Sequence, residues 1–178
     1  APRDRQHLVS VLNEAVDIDD RPTVIRYSKD PIPDDIRIVT SHDGLDVLCD
    51  GPEDGILLVA HGQLCAEALA AVDQLDSPVR VVSPRWSLPV CGGLIEEAAR
   101  ARAVVSVEDG LVVSGLGSHL ADALSQRGMW RPIRSLGIPQ RYLDHDSRSA
   151  IMAELGLDSR GIADAVSQLV AQLDGEYS

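Results

Sequence analysis

The chain has 178 residues and a formal net charge of −12, from 28 acidic and 16 basic side chains. Nucleic acids and anionic membrane surfaces attract clustered Lys and Arg, and the sequence has no basic run, so we expect neither as a partner. It also has no apolar run long enough for a transmembrane helix. Its three cysteines, Cys49, Cys65 and Cys91, lack CxxC spacing and are typical of reduced thiols in a cytoplasmic protein.

The first 45 residues predict a helix, a strand and a linker. Asp4 is a candidate N-cap for a helix whose apolar face carries Leu8, Val9, Leu12 and Val16. Pro22 lies beyond the end of this helix, which a proline cannot continue. The β-branched and aromatic residues 23–27 predict a strand. Residues 28–45 have no hydrophobic period and contain two prolines, which indicates an interdomain linker.

The rest of the chain alternates between strands and helices. Strands are predicted at residues 56–60, 79–82, 104–107 and 133–136, and helices at residues 64–75, 94–101 and 118–127. Gly128 is expected to close the third of these helices in the left-handed conformation. A final helix follows Asp158, with Ile162, Val166, Leu169, Val170 and Leu173 on one face. This alternation predicts an α/β fold: a mostly parallel sheet in a three-layer α/β/α sandwich.

Three polar residues follow predicted strands, where such sheets bind their ligands. His61 comes directly after the first strand of the alternation and is a candidate cleft residue, although a lone histidine there is more often a structural, hydrogen-bonded group. Glu108 and Asp109 follow the strand at residues 104–107. They could form a carboxylate pair for acid–base chemistry, but a solvated turn after the strand is the favoured prediction.

The segment Gly115-Leu116-Gly117-Ser118 precedes a predicted helix. A dinucleotide-binding motif would need a third glycine in place of Leu120, so a tight turn into the helix is the favoured interpretation. The helix N-terminus remains a possible place for an anion. Ser118 and His119 do not form a catalytic dyad, because adjacent residues on a helix point in different directions.

Lys29 is the single lysine of the chain and lies just after the predicted strand at residues 23–27. A lysine there can bind a phosphate as a point charge. From the residues alone, a solvated surface side chain is the favoured interpretation.

Several blocks of sequence carry a family resemblance. Residues 136–148, Leu-Gly-Ile-Pro-Gln-Arg-Tyr-Leu-Asp-His-Asp-Ser-Arg, and residues 154–157 resemble the C-terminal signature of the 1-deoxy-D-xylulose-5-phosphate synthase family of the transketolase superfamily. Further similar blocks occur in family order, at residues 1–16, 22–29, 57–62, 82–90, 105–110 and 115–118. The resemblance therefore covers nearly the whole chain.

The resemblance implies a transketolase-like C-terminal domain at residues 41–178, preceded at residues 1–40 by the end of a pyrimidine-binding middle domain and a linker. It implies a transferase that joins pyruvate to D-glyceraldehyde 3-phosphate with loss of carbon dioxide, for isoprenoid, thiamine and pyridoxal synthesis. Thiamine diphosphate and Mg²⁺ are the cofactors of the complete enzyme. Its partners are the remainder of the synthase chain and a second protomer. Lys29 takes the place of the basic residue that binds the aldehyde phosphate.

The cofactor motifs of the superfamily, Gly-Asp-Gly…Asn and a glutamate of the middle domain, have no match in this sequence. We therefore expect a fragment that has no catalytic residue, binds no cofactor or metal, and is inactive alone. Ser28 and Asp30 replace a proline and a glycine of the family pattern beside Lys29. Two alternatives are a non-catalytic dimerisation or regulatory module with this fold, and the equivalent domain of another thiamine-diphosphate enzyme.

Overall fold

A computed structural model describes residues 1–28 and 31–175. The six helices of this part of the chain are α1 (Arg5–Asp17), α2 (Leu64–Val72), α3 (Gly92–Arg100), α4 (Leu116–Ser125), α5 (Arg148–Glu154) and α6 (Ser159–Gly175). The strands are β1 (Thr40–His42), β2 (Leu45–Cys49), β3 (Ile56–His61), β4 (Arg80–Pro84), β5 (Ala103–Leu111) and β6 (Ile133–Ile138). No helix among the described residues is both long and apolar enough to cross a bilayer.

The strands form one mixed sheet with the order β1-β2-β4-β3-β5-β6. The four strands β4, β3, β5 and β6 are parallel, as the alternation predicted, whereas β2 runs antiparallel to both β1 and β4. Parallel strands fit the sequence because β3 is buried at all six positions, which requires a helix layer on each face.

Two apolar cores lie on opposite faces of the sheet, which confirms the three-layer α/β/α architecture. Alternate residues of β3 divide between them: Leu58 and Ala60 join the core under α2 and α6, whereas Leu57 and Val59 join the core under α3 and α4. This division follows from the two-residue period of a strand. The helix layers cover the two faces of the sheet, so the carboxyl ends of the parallel strands lie at its edge, between the layers.

The hairpin of β1 and β2 corrects the predicted linker at residues 28–45. Asp43 and Gly44 form its two-residue turn with φ values of 42° and 76°. An Asp-Gly pair with two positive φ angles suits the twist of a tight hairpin, so residues 40–45 belong to the sheet. The sequence contained this turn signal, but the short strands on either side of it have no clear alternation.

Helix α1 begins where the sequence predicted, because the carboxylate of Asp4 accepts a hydrogen bond of 2.7 Å from the backbone N–H of His7. Three of the four residues on its predicted apolar face, Val9, Leu12 and Val16, are exposed in this chain. Charged contacts attach the helix region to the sheet instead. Arg3 pairs with Asp46 on β2 at 2.6 Å, and Glu14 accepts a hydrogen bond of 2.6 Å from Arg85.

The strand predicted at residues 23–27 is wrong, because these residues have no regular secondary structure. β-Branched composition favours a strand only where a neighbouring strand takes up its backbone hydrogen bonds. Among the described residues, no strand pairs with this segment. The other predicted helices and strands are present, and Gly128 closes α4 with a φ of 70°. Helix α5 was not predicted.

Candidate functional site

A cavity of about 410 Å³ lies at the carboxyl ends of β3 and β5. Its walls come from these two strand ends, from Ala1 and Pro2, from Val24 and residues 26–28 of the segment before the sheet, and from Arg148 at the start of α5. Parallel α/β sheets bind ligands at this edge because the strand ends and the loops after them converge there. The cavity is therefore our candidate functional site.

His61 ends β3 and lines this cavity, as the sequence predicted for a cleft residue. Its Nε2 atom lies 2.9 Å from the Oγ of Ser87 and 3.3 Å from the nitrogen of Ala1. Burial, together with the positive charge at Ala1 and the nearby His7, lowers the pKa of His61 to about 3, although the carbonyl of Pro84 acts in the opposite direction. The imidazole is consequently neutral at physiological pH. A base this weak is poorly suited to activating Ser87 as a nucleophile.

Asp109 connects three parts of the cavity wall. One of its carboxylate oxygens lies 3.1 Å from Nη2 of Arg26, and the other lies 2.6 Å from Nη2 of Arg148. Only 14% of the Asp109 side chain is exposed, whereas the two guanidinium groups reach towards solvent. Asp109 thus holds a residue of the N-terminal segment and a residue of α5 against the end of β5.

Glu108 has a different role from its neighbour Asp109. Its Oε1 atom accepts a hydrogen bond of 2.7 Å from the backbone N–H of Leu116, the first residue of α4. Burial raises the pKa of Glu108, and the N–H groups of Leu116 and Gly117 offset part of this increase. The anion that the N-terminus of α4 was expected to attract is therefore a side chain of the same chain. The prediction of a solvated turn at residues 108–110 is wrong.

The glycines before α4 serve close packing. A Cβ atom on Gly115 would lie 2.1 Å from Oε1 of Glu108, so a side chain there would displace the carboxylate that caps the helix. A Cβ atom on Gly117 would lie 2.2 Å from the hydroxyl oxygens of both Ser106 and Ser135 on the sheet. The pattern Gly-Leu-Gly is thus explained by the approach of α4 to β5 and β6, in agreement with the interpretation as a tight turn.

Cys65 is a buried core residue, as predicted. Its thiol lies 3.3 Å from Oγ of Ser83, and burial raises its pKa to about 11. A thiol with this pKa is almost entirely protonated at neutral pH and is a poor nucleophile. Cys49 and Cys91 are also free thiols.

The described residues do not supply a cofactor-binding centre. Among residues 1–28 and 31–175, no three His, Cys, Asp or Glu side chains are grouped so that they could hold a metal ion. Binding Mg²⁺ with a diphosphate requires several oxygen ligands around one point. The residues present therefore do not fit thiamine diphosphate with its metal.

The predicted substrate ligand Lys29 lies outside the described residues. Residues 26–28, which precede it in the chain, line the cavity. The cavity residues Arg26 and Arg148 were not singled out from the sequence, and Asp109 was considered only together with Glu108 as a carboxylate pair. The rule that ligands bind at strand ends points to Asp109, but no local pattern marks the two arginines.

Comparisons with known proteins agree with this arrangement. The family described as "Transketolase, C-terminal domain" matches residues 46–162. A 1-deoxy-D-xylulose-5-phosphate synthase 2 of Streptomyces avermitilis is 43% identical over 99% of the chain, and a 1-deoxy-D-xylulose-5-phosphate synthase of Corynebacterium glutamicum is 40% identical over 99%. The chain spans only 28% and 29% of the lengths of these two relatives.

Two solved structures are also similar. One, described as a split gene transketolase in an inactive β4 tetramer, has a TM-score of 0.79 at 27% identity and is matched over 94% of this chain and 55% of its own. A transketolase from Campylobacter jejuni has a TM-score of 0.67 at 17% identity, over 94% of this chain and 25% of its own. The resemblance to the C-terminal portion of deoxyxylulose phosphate synthases is confirmed, and the chain belongs to the transketolase C-terminal domain family.

Proposed function

We propose that this chain acts as the C-terminal part of a 1-deoxy-D-xylulose-5-phosphate synthase. The complete enzyme would be a cytoplasmic transferase that joins pyruvate to D-glyceraldehyde 3-phosphate with loss of carbon dioxide. The observation that supports this most strongly is 40–43% identity to synthases so named, extending over 99% of the chain. The alignment to these synthases covers 99% of the chain and so includes the N-terminal 45 residues, which lie before the matched domain. This coverage favours a synthase over other enzymes with this C-terminal domain.

The cofactor chemistry would belong to other parts of the complete enzyme. Thiamine diphosphate supplies a carbanion equivalent that adds to the aldehyde. On this proposal the isolated chain binds neither this cofactor nor Mg²⁺ and is inactive. The role of this chain is then to form one wall of the active-site entrance.

Residues 1–40 would form the end of the preceding pyrimidine-binding domain, and residues 41–178 the C-terminal domain. The exposed apolar side chains of Val9, Leu12 and Val16 on α1 support this division, because they would be buried against that domain. Residues 23–27 would likewise become a strand when a neighbouring strand of that domain is present.

Lys29 would bind the phosphate of D-glyceraldehyde 3-phosphate. Support comes from its place in the sequence directly after residues 26–28, which line the cavity at the carboxyl edge of the sheet. The ammonium group of a lysine is a point charge on a flexible side chain. A lysine can therefore reach a phosphate from a wider range of backbone positions than an arginine, whose planar group must be aligned with it. Asp30 beside it would weaken this interaction.

The partners of the chain would be the rest of the synthase polypeptide and a second protomer. A similar solved protein is described as a β4 tetramer, which supports association through this domain. That protein is also described as inactive, which favours one alternative function: a non-catalytic assembly module that retains the fold.

Product formation tests both proposals. This chain and the full natural gene product that contains it are each incubated with pyruvate, D-glyceraldehyde 3-phosphate, thiamine diphosphate and Mg²⁺. The deoxyxylulose phosphate formed is then measured. We expect product from the longer polypeptide and none from this chain. Absence of product from both contradicts the synthase and supports the assembly module. A different ketose product would assign the chain to another enzyme of the superfamily.

A further inference from the structure

The segment before the sheet reaches the cavity without support from regular structure. Residues 20–27 form neither a helix nor a strand, and among the described residues no backbone hydrogen bond joins them to the sheet. The side chains of Val24 and Tyr27 are largely exposed and that of Ile25 is only partly buried, so apolar packing holds the segment weakly. In this chain its position against the cavity therefore relies on side-chain contacts.

Arg26 makes such a contact. Its guanidinium group pairs with Asp109 at 3.1 Å, at the carboxyl end of β5. The same carboxylate pairs with Arg148 at 2.6 Å, so one acidic side chain joins the N-terminal segment, the sheet and α5. Both oxygens of Asp109 are occupied, and the carboxylate is mostly buried, which reduces its screening by water.

We propose that Asp109 is a positioning residue of the synthase: it fixes Arg26, and with it residues 24–28, at the wall of the cavity where the aldehyde substrate binds. This inference rests on the proposed function and adds a residue of the C-terminal domain to substrate binding. Asp109 does not touch the substrate. It acts by holding that segment in a fixed position against the C-terminal domain, so that the substrate-binding wall is already in place when the substrate arrives.

The kinetic test uses the complete synthase with Asp109→Asn, which removes the charge and keeps the shape of the side chain. We expect the KM for D-glyceraldehyde 3-phosphate to rise by about three- to tenfold, the effect of one partly exposed charged contact. The KM for pyruvate and kcat should stay within about twofold of the parent values, since carbanion formation does not involve this segment. Asp109→Glu should restore most of the aldehyde KM. Asp164→Asn, at an exposed acidic residue of α6, is the matched control and should change neither constant.

A second measurement needs no activity. In limited trypsin digestion of this chain, Asp109→Asn should speed cleavage after Arg26, whose side chain the ion pair holds, and leave cleavage after the exposed Arg127 unchanged. Faster cleavage after Arg26 with a raised aldehyde KM supports the proposal. An active variant with an unchanged aldehyde KM overturns it, and so does an unchanged rate of cleavage after Arg26. If the parent synthase makes no deoxyxylulose phosphate, the proposed function fails, and faster cleavage then leaves Asp109 as an anchor of this segment only.

Discussion

Arg80 on β4 and Glu97 on α3 form a buried ion pair that joins a helix to the centre of the sheet. Nε of Arg80 lies 2.9 Å from Oε2 of Glu97, and Nη2 lies 3.3 Å from Oε1. Only 2% of the Glu97 side chain is exposed, and Arg100 and His42 approach the same carboxylate at 3.2 and 3.5 Å. The negative charge of the buried Glu97 carboxylate is compensated because these basic groups surround it.

Neutralising Glu97 should therefore destabilise the domain. Glu97→Gln leaves the buried guanidinium of Arg80 with one charged partner, the mostly exposed Asp50. The cost should therefore approach, without exceeding, the value of about 3–5 kcal/mol for breaking a buried pair completely. Urea denaturation followed by circular dichroism measures the change in the free energy of unfolding. Glu53→Gln is a suitable control because this glutamate is exposed and also pairs with Arg100, so its loss should cost less than about 1 kcal/mol. Equal effects of the two changes would contradict a special role for the buried pair.

Two buried histidines should make the chain sensitive to acid. The pKa of His61 is lowered from 6.5 to about 3, and burial together with the charge of Arg3 lowers that of His7 to about 4. Between pH 6.5 and these values the unfolded chain takes up protons that the folded chain does not. The free energy of unfolding must then fall as the pH falls below 6.5, whereas above pH 6.5 the histidines cause no change. At pH 5 each histidine contributes a loss of about 2 kcal/mol.

The measurement compares unfolding of the parent chain and His61→Gln at pH 7 and pH 5. The variant should lose about 2 kcal/mol less than the parent between these two pH values, whatever its stability at pH 7. His145→Gln, at an exposed loop position, should behave like the parent. A variant with the full acid sensitivity of the parent would show that His61 becomes protonated in the folded state.

The layered fold could be predicted from the sequence because each helix and strand is specified by residues that are close together in the chain. The apolar run at residues 56–60 needs helices on both faces, and Asp4 and Gly128 mark helix ends through their own backbone chemistry. The strand at residues 23–27 failed for the opposite reason. Its composition favours an extended chain, but the pairing that would make it a strand depends on residues far away or outside the chain.

The candidate site could be predicted only in part. His61 and Asp109 lie where the strand-end rule places ligand-binding residues, so the position of the cavity followed from the fold. The cluster of Arg26, Asp109 and Arg148 did not, because its members are separated by 83 and 39 residues and charged side chains on loops have no period. The hydrogen bond from Leu116 to Glu108 depends in the same way on the path of the loop between β5 and α4.

Lys29 stays a predicted substrate ligand with a direct test. A charge-assisted contact with a phosphate contributes roughly 1.5–3 kcal/mol, so Lys29→Ala in the complete synthase should raise the KM for D-glyceraldehyde 3-phosphate by about ten- to a hundredfold. The KM for pyruvate, which has no phosphate, should not change. Arg127→Ala, at an exposed position on the far end of α4, controls for the general loss of a positive charge. An unchanged aldehyde KM in the Lys29 variant would remove this residue from the site.

Gly115 should be intolerant of even one methyl group. Its φ of −83° is open to any residue, so an alanine there meets no backbone restriction and clashes only with Oε1 of Glu108 at 2.1 Å and the carbonyl oxygen of Leu111 at 2.6 Å. Gly115→Ala should cost about 1–3 kcal/mol of unfolding free energy, as expected for overpacking, and displace the carboxylate from the N-terminus of α4. Gly175→Ala is the control because no atom lies within 4 Å of its added Cβ, and it should change the stability by less than about 0.5 kcal/mol.

Glu108→Ala in the Gly115→Ala background separates the two clashes. The double variant should be more stable than the sum of the two single changes predicts, because the clash with the carboxylate has been removed. Strict additivity would show that the carbonyl of Leu111 alone excludes the side chain.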